Sequence, residues 1–255
     1  MNYGLIGEKL GHSFSKPIHE RLADYKYEIT PLTREEFKEF MDKKEFNAIN
    51  VTIPYKSDVI PYLDELDEKA KTIGAVNTIV NTDGKLKGYN TDFYGFLYTL
   101  KNNGIDVTGE KVLVLGNGGA AKAIIAVLNF LGAKEIVIVK YKEAPGVITY
   151  EKCLEYHRDA GFIVNTSPVG MYPNVEASPI DLSSYPKCSA VIDIIYNPLE
   201  TQLLKQAKAL GMTGVNGLEM LIAQAKYAVE IFLNKDINDN VIEDIHRDFL
   251  KTMDM

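Results

Sequence analysis

The sequence predicts an α/β protein of two domains, each built on a mostly parallel sheet covered by helices. Three observations predict it. Short apolar runs alternate with amphipathic stretches along the first third of the chain, the rhythm of βαβ units. A second series of the same kind opens at Lys111, where an apolar strand runs at once into a glycine-rich turn and an apolar helix. Beyond Gly217 the pattern is helical, from Leu218 to about Leu233 and again from about Val241 onward.

Taken in order, Tyr3 to Gly7 reads as a strand, and Ser15 stands where it would cap a helix starting at Lys16-Pro17, since proline is tolerated in a first turn. Tyr25 to Thr30 reads as a second strand. Thr33-Arg34-Glu35-Glu36 has capping-box spacing and opens a helix with Phe37, Phe40 and Met41 on one face. Ala48 to Val51 is a third strand, ended by Pro54, and a helix rich in Glu, Asp and Lys follows and closes near Gly74. Asn77-Thr78 and Asn90-Thr91-Asp92 end two further short segments, and Phe93 to Asn103 is helical. In the second series, Lys111 to Leu115 is a buried strand and the apolar helix runs to Leu131. Glu135 to Val139 is the next strand, and Phe162 to Asn165 and Val191 to Ile194 continue the sheet.

At 255 residues, 46% of them hydrophobic, the chain is long and apolar enough to bury a core in each half. A net charge of -7 without any basic block argues against nucleic acid and anionic membrane surfaces as partners, so an anionic ligand must be held by local donors. Cys153 and Cys188 lack metal-type spacing and read as plain thiols of a reducing compartment; no metal is expected. The start of the chain lacks a signal-peptide pattern, and no apolar run approaches the roughly 20 residues of a membrane span, so the chain reads as cytoplasmic.

Gly116-x-Gly118-x-x-Ala121 is the G-x-G-x-x-A form of the dinucleotide fingerprint. It sits between a strand and a helix, the context in which backbone N–H groups can approach a pyrophosphate at a helix N-terminus. The second domain is therefore expected to be Rossmann-like. The end of the next strand bears on the choice of cofactor. An acid there would bind the ribose hydroxyls of NAD, but the sequence has Lys140-Tyr141-Lys142, with an acid only at Glu143. Two ammonium groups beside a tyrosine ring suit a phosphorylated ribose and adenine, which favours NADP.

The first domain carries polar residues at strand ends and in loops, where α/β ligand sites gather. Ser13 and Ser15 place two hydroxyls two residues apart, and Asn50, Thr52 and Lys56 lie at and beyond the third strand. Singly, each has an ordinary structural reading: Ser15 as a cap, Asn90 and Asp92 as turn or cap residues, Lys56 as a solvated lysine. In order along the chain they form the motifs H-S-F-S-K-P, N-V-T-I-P-Y-K, G-A-V-N-T-I, G-Y-N-T-D, G-N-G-G-A-A, N-T-S-P-V-G-M, Y-N-P and M-L-I-A-Q-A. With these motifs the chain resembles the shikimate dehydrogenase family over nearly its whole length.

The resemblance implies an N-terminal substrate-binding domain, 1–93 plus 217–255, and a Rossmann-like dinucleotide-binding domain, 94–216, with the C-terminal helices returning to the first domain. It implies reversible NADPH-dependent reduction of 3-dehydroshikimate to shikimate. Lys56 and Asp92 match the family's catalytic pair, with Lys56 expected to carry the proton or to stabilise the developing alkoxide. Ser13 and Ser15 match the binders of the substrate carboxylate, and Tyr196 matches a tyrosine near it; Asn50, Thr52, Asn77, Asp92 and Gln224 match ligands of the ring hydroxyls. Gly116, Gly118, Gly119, Ala120 and Ala121 match the phosphate loop, Thr166 opens the segment flanking the nicotinamide, and Gly217 and Met220 match the returning stretch. His12 is expected to be structural, and His157 and His246 surface residues.

The chain also departs from the family. An Asn-Arg-Thr usually follows the second strand of the cofactor domain, where Lys140-Tyr141-Lys142 stands here; lysine gives a point charge without the arginine fork. The next helix is expected to be missing, because only Glu143-Ala144-Pro145-Gly146 precedes a short strand at Val147. Two alternatives stay open: an NAD-using quinate/shikimate dehydrogenase, and a catalytically silent shikimate-binding regulator. A monomer and a homodimer both fit the sequence.

Overall fold

Strands β1 (Tyr3–Gly7), β2 (Tyr27–Pro31) and β3 (Ala48–Val51) pair in parallel, with β1 between the other two. β3 is buried along its whole length and β1 over most of it, as expected of apolar strands covered on both faces. They are linked by helices α1 (Ser15–Leu22) and α2 (Arg34–Lys43). The capping box on α2 forms: the Thr33 side chain accepts from the Glu36 N–H, and the Glu36 carboxylate accepts from the Thr33 N–H at 2.8 Å. Phe37 and Met41 of α2 pack with Ile6, Ile49, Ile79 and Leu86 in one core, and Phe40 lies against it. These facts come from a computed structural model that describes residues 1–11 and 13–253; the expectation for His12 lies outside the described residues.

The stretch after Pro54 differs from the long helix predicted. Turns lead into a 3₁₀ segment (Ile60–Tyr62) and a short strand β4 (Glu65–Leu66); only then does α3 (Glu68–Ile73) form. Pro61 removes an N–H that a helix would need, and Asp67, accepting from the Lys69 N–H, starts the helix afresh. Asn77-Thr78 begins a strand rather than ending one: β5 (Thr78–Thr82) and β6 (Lys85–Tyr89) form an antiparallel hairpin. Its turn, Asp83-Gly84, has φ of 51° and 83°, the left-handed pair that a two-residue hairpin turn requires. The sheet order is β2-β1-β3-β5-β6-β4.

Helix α4 (Thr91–Asn102) leads to a second sheet. Its strands are β7 (Lys111–Leu115), β8 (Glu135–Lys140), β9 (Val147–Thr149), β10 (Phe162–Asn165), β11 (Ala190–Asp193) and β12 (Thr213–Val215). The order β12-β11-β10-β7-β8-β9 is parallel throughout, the doubly wound arrangement with its switch point between β7 and β10. α5 (Gly119–Phe130) follows β7, α6 (Tyr150–Tyr156) follows β9 and α7 (Gln202–Ala209) follows β11. The sequence reading did not single out α6, α7 or β12. Between β8 and β9 no helix occurs: the chain turns at Pro145-Gly146, where Gly146 has φ 73° and the Val147 N–H donates to the Ala144 carbonyl at 2.9 Å.

α8 (Leu218–Leu233) and α9 (Asn240–Met253) complete the chain. Two compact units result, Met1–Phe96 with Leu221–Met255, and Leu97–Met220. Their limits fall a few residues after those read from sequence, because α4 and α8 run unbroken through them. Among the described residues no helix is long and apolar enough to cross a membrane.

Candidate active site

The strand directions of the first unit collect its polar residues at one edge. β1 and β3 run one way, β5 runs back, and β6 returns. The carboxyl ends of β1, β3 and β6 and the amino end of β5 therefore share an edge. Ser13 and Ser15 follow β1, Thr52 and Lys56 follow β3, Asn77 precedes β5, and Asp92 follows β6.

Lys56 Nζ lies 2.5 Å from Asp92 Oδ2, and both side chains are largely covered, at 13% and 9% exposure. Asp92 sits in the first turn of α4, where a helix dipole favours negative charge. Its other oxygen, Oδ1, accepts from Asn77 Nδ2 at 2.9 Å. The Asn77 amide has one orientation only, since its Oδ1 takes the Thr91 backbone N–H at 2.7 Å. The turn bearing Lys56 is tied to the same region by a bond of 2.7 Å from the Val76 N–H to the Lys56 carbonyl. Gln224 of α8 is half-buried, with Oε1 3.5 Å from the Thr91 hydroxyl and Nε2 donating to the Leu221 carbonyl. Lys56, Asn77, Asp92 and Gln224 thus form one cluster joined through Thr91.

Asn50 stands apart from these. It is buried, and its amide is bonded inside the protein on both sides: Oδ1 accepts from the Tyr27 hydroxyl at 2.7 Å, and Nδ2 donates to the Asn77 carbonyl and to Thr78 Oγ1. It underpins Asn77 and Thr78 from below. Thr52 is half-buried beyond β3, held by its N–H to the Ile6 carbonyl at 2.9 Å. Ser15 does not cap α1; it is the first helical residue, and the Ser13 hydroxyl accepts its N–H at 3.2 Å. A hydroxyl two residues upstream satisfies the donor that a cap would have satisfied.

In the second unit the expected cofactor positions line the carboxyl edge of the parallel sheet. Gly116 has φ 113°, and a Cβ there would come within 2.6 Å of Thr166 Oγ1, so only glycine fits. Gly118 is the N-cap of α5, with open space where a Cβ would stand, no side-chain cap and no acid in the first turn. Gly119 and Ala120 open that helix, and Ala121 is buried against the sheet. This bare, uncapped helix start is a cradle that an anion such as a pyrophosphate fits. Thr166 stands across the switch point, its N–H and hydroxyl both donating to the Leu115 carbonyl at 2.9 Å.

Lys140 ends β8, Lys142 lies just beyond it, and both are exposed, with Tyr141 73% exposed and its ring centroid 4.9 Å from that of Tyr150. Glu143 forms an ion pair with Lys152. Tyr196, after β11, is half-buried, and desolvation raises its phenol above the ordinary range. Gly217 is fixed by packing, because a Cβ would fall 2.0 Å from the Ile194 carbonyl oxygen; Met220 is buried in α8. His157 and His246 are half-buried, not surface residues as predicted: His157 Nδ1 lies 3.6 Å from Glu135, and burial lowers the pKa of His246.

Among the buried polar groups that escaped the sequence reading are His19 and Asp193. His19 is fully buried, stacked on Tyr27 at 4.0 Å with Nδ1 2.8 Å from the Tyr25 hydroxyl, and desolvation takes its pKa down to about 3. Asp193, at the end of β11, is fully buried and desolvation pushes its pKa up to about 6. For Asp193 the signal is a polar residue inside the apolar run Val191 to Ile195; His19, between Ile18 and Glu20, carries no such signal.

Comparison with known proteins bears on this edge of polar groups. Residues 5–79 match the model of the shikimate dehydrogenase substrate binding domain. A shikimate dehydrogenase (NADP(+)) of Clostridium beijerinckii is 41% identical over 97% of both chains. A chorismate mutase/shikimate 5-dehydrogenase fusion protein of Clostridium acetobutylicum superposes with a TM-score of 0.93 at 37% identity, covering 99% of this chain and 97% of its own. The shikimate 5-dehydrogenase of Thermus thermophilus, solved with NADP(H) and shikimate, gives 0.87 at 30% identity, over 97% of this chain and 98% of its own.

Proposed function

The chain belongs to the shikimate dehydrogenase family, and we propose that it interconverts shikimate and 3-dehydroshikimate with NADP as the cofactor. The observation that carries this reading is the Lys56–Asp92 pair, 2.5 Å apart and held by Asn77 from the far side. Both Asp92 oxygens are engaged as acceptors, which leaves the remaining Lys56 donors for a ring hydroxyl. On reduction the Lys56 ammonium gives its proton to the developing alkoxide; on oxidation the neutral amine, its extra proton first released to solvent, takes the hydroxyl proton, while Asp92 keeps the nitrogen aimed. Asn77 and Gln224 present amides on the same cluster, suited to neighbouring ring hydroxyls. Ser13 and Ser15, at the start of α1, offer neutral donors for the substrate carboxylate, as an acidic protein requires.

The dinucleotide would be held by Gly116 and the start of α5, with Lys140 and Lys142 on the 2′-phosphate and Thr166, Gly217 and Met220 nearer the nicotinamide. When bound, NADP accepts or supplies the hydride. The charge of -7 disfavours nucleic-acid and anionic membrane partners, and we further propose a cytoplasmic enzyme that works as a monomer or homodimer.

A second reading, an NAD-using quinate/shikimate dehydrogenase, is favoured by one observation: β8 passes to β9 without a helix and without an arginine. Initial rates of cofactor reduction with shikimate and with quinate, run in parallel with NADP and NAD, separate the two. Faster turnover with NADP and shikimate supports the first, and NAD turnover as good or better supports the second. Shikimate binding without turnover on either cofactor would leave a regulator.

A further inference from the structure

The carboxyl ends of β10 and β11 hold a polar cluster that the proposed proton transfer does not use. Asp193, the last residue of β11, accepts three hydrogen bonds. Oδ1 takes Asn165 Nδ2 at 3.0 Å and the Ile195 N–H at 3.2 Å, and Oδ2 takes the Thr201 hydroxyl at 2.7 Å. Asn165, the last residue of β10, turns its Oδ1 to Ser167, accepting the Ser167 N–H at 3.0 Å and its hydroxyl at 2.7 Å. Ser167 Oγ accepts in turn from the Val169 N–H at 3.3 Å. The chain of bonds ends on the Thr166–Val169 turn, whose first residue is packed on Gly116 of the glycine loop.

A fully buried carboxylate with only neutral donors is costly to ionise, which is why its pKa rises to about 6. What a carboxylate supplies, and an amide does not, is acceptance at both oxygens. Because Asp193 only accepts while ionised, Asn165 must present its NH₂ to β11 and its carbonyl to Ser167. The amide orientation, and with it the turn, has a single solution.

We propose that Asp193 is a positioning residue that acts through Asn165 to hold the Thr166–Val169 turn against the glycine loop, fixing one wall of the nucleotide pocket. The proposal rests on the reading of this unit as an NADP site. It is tested on the full chain by NADPH fluorescence titration and by shikimate calorimetry, with Asp193→Leu, Asp193→Asn and Ser167→Ala. Asp193→Leu and Ser167→Ala should weaken NADPH binding about tenfold or more, with shikimate affinity changed less than about twofold. Asp193→Asn keeps an oxygen for Asn165 and Ile195 and should restore NADPH binding to within about threefold. Ser167 is half-buried, so Ser167→Ala decides the matter where Asp193→Leu fails to fold.

Wild-type affinity for NADPH in Ser167→Ala and Asp193→Leu would overturn the proposal, as would a parallel loss of shikimate binding or an Asp193→Asn no better than Asp193→Leu. A wild-type chain that binds no NADPH would remove the proposed function along with it. A wild-type chain that binds, with variants that bind equally, removes this proposal alone.

Discussion

Asp92 is held from two sides: Lys56 Nζ meets one carboxylate oxygen at 2.5 Å and Asn77 Nδ2 meets the other at 2.9 Å. Both carboxylate oxygens being engaged, the proposed function assigns the proton exchange with a ring hydroxyl to the amine. Lys56→Ala should lower kcat by about a hundredfold or more with modest change in the KM for shikimate, measured by steady-state rates. Near-normal turnover would remove Lys56 from the chemistry.

Asn50 and Asn77 are expected to separate by role. Asn50→Ala takes the acceptor from the buried Tyr27 hydroxyl and one bond each from the Asn77 carbonyl, which keeps the Val51 N–H, and from Thr78, which keeps Asn77 and Thr91; it should cost about 1–3 kcal/mol of stability in urea unfolding. Asn77→Ala should raise the KM for shikimate more than Asn50→Ala does. The reverse ranking in KM would return Asn50 to the ligands of the substrate.

Lys140 and Lys142 stand exposed at the end of β8, where no arginine fork is available. Replacing both by Ala should raise the KM for NADP by about tenfold or more while leaving that for NAD within about twofold. The NADP value should also climb with salt, since exposed charges are screened. Equal effects on both cofactors would show that the lysines do not read the 2′-phosphate.

His19 and Asp193 give the two units opposite responses to acid. His19 titrates near 3 when folded against 6.5 unperturbed, so the unfolded chain binds more protons and this stability is lost as pH falls below about 6.5. Asp193 titrates near 6 when folded against 3.8 unperturbed, so the folded chain binds more protons between those values. Its contribution is greatest below about pH 4 and is lost as pH rises through 6, by an order of magnitude of about 2–3 kcal/mol. Thermal melts from pH 4 to 7.5 on His19→Phe and Asp193→Asn should show each variant losing its own slope. Slopes matching the wild type would refute the assignments.

Much of the fold was legible because it lies in local pattern. The capping box at Thr33, the glycine loop after β7 and the Pro145-Gly146 turn each need only a few adjacent residues to be recognised. The hairpin was missed although Asp83-Gly84 is a turn signal, because its strands are short and half polar. The helix expected after Pro54 failed because charged composition was read without weighing Pro61. Within the site, residue types at strand ends gave the Lys56–Asp92–Asn77 cluster, but not that Asn50 is consumed by Tyr27 beneath it. Nor could they give Asp193 and Asn165, whose pairing is made only when β10 and β11 lie side by side.

The first unit is interrupted in sequence by the whole of the second, and this sets an order of events during synthesis. Lys56, Asn77 and Asp92 emerge from the ribosome together, and the β5–β6 hairpin joins the last two by a short local closure. Gln224 is 133 residues beyond Thr91, its neighbour in the fold. At about 5–20 residues per second, it follows roughly 10 seconds or so later. A nascent chain therefore holds Lys56 and Asp92 well before it owns the helix that completes the cluster.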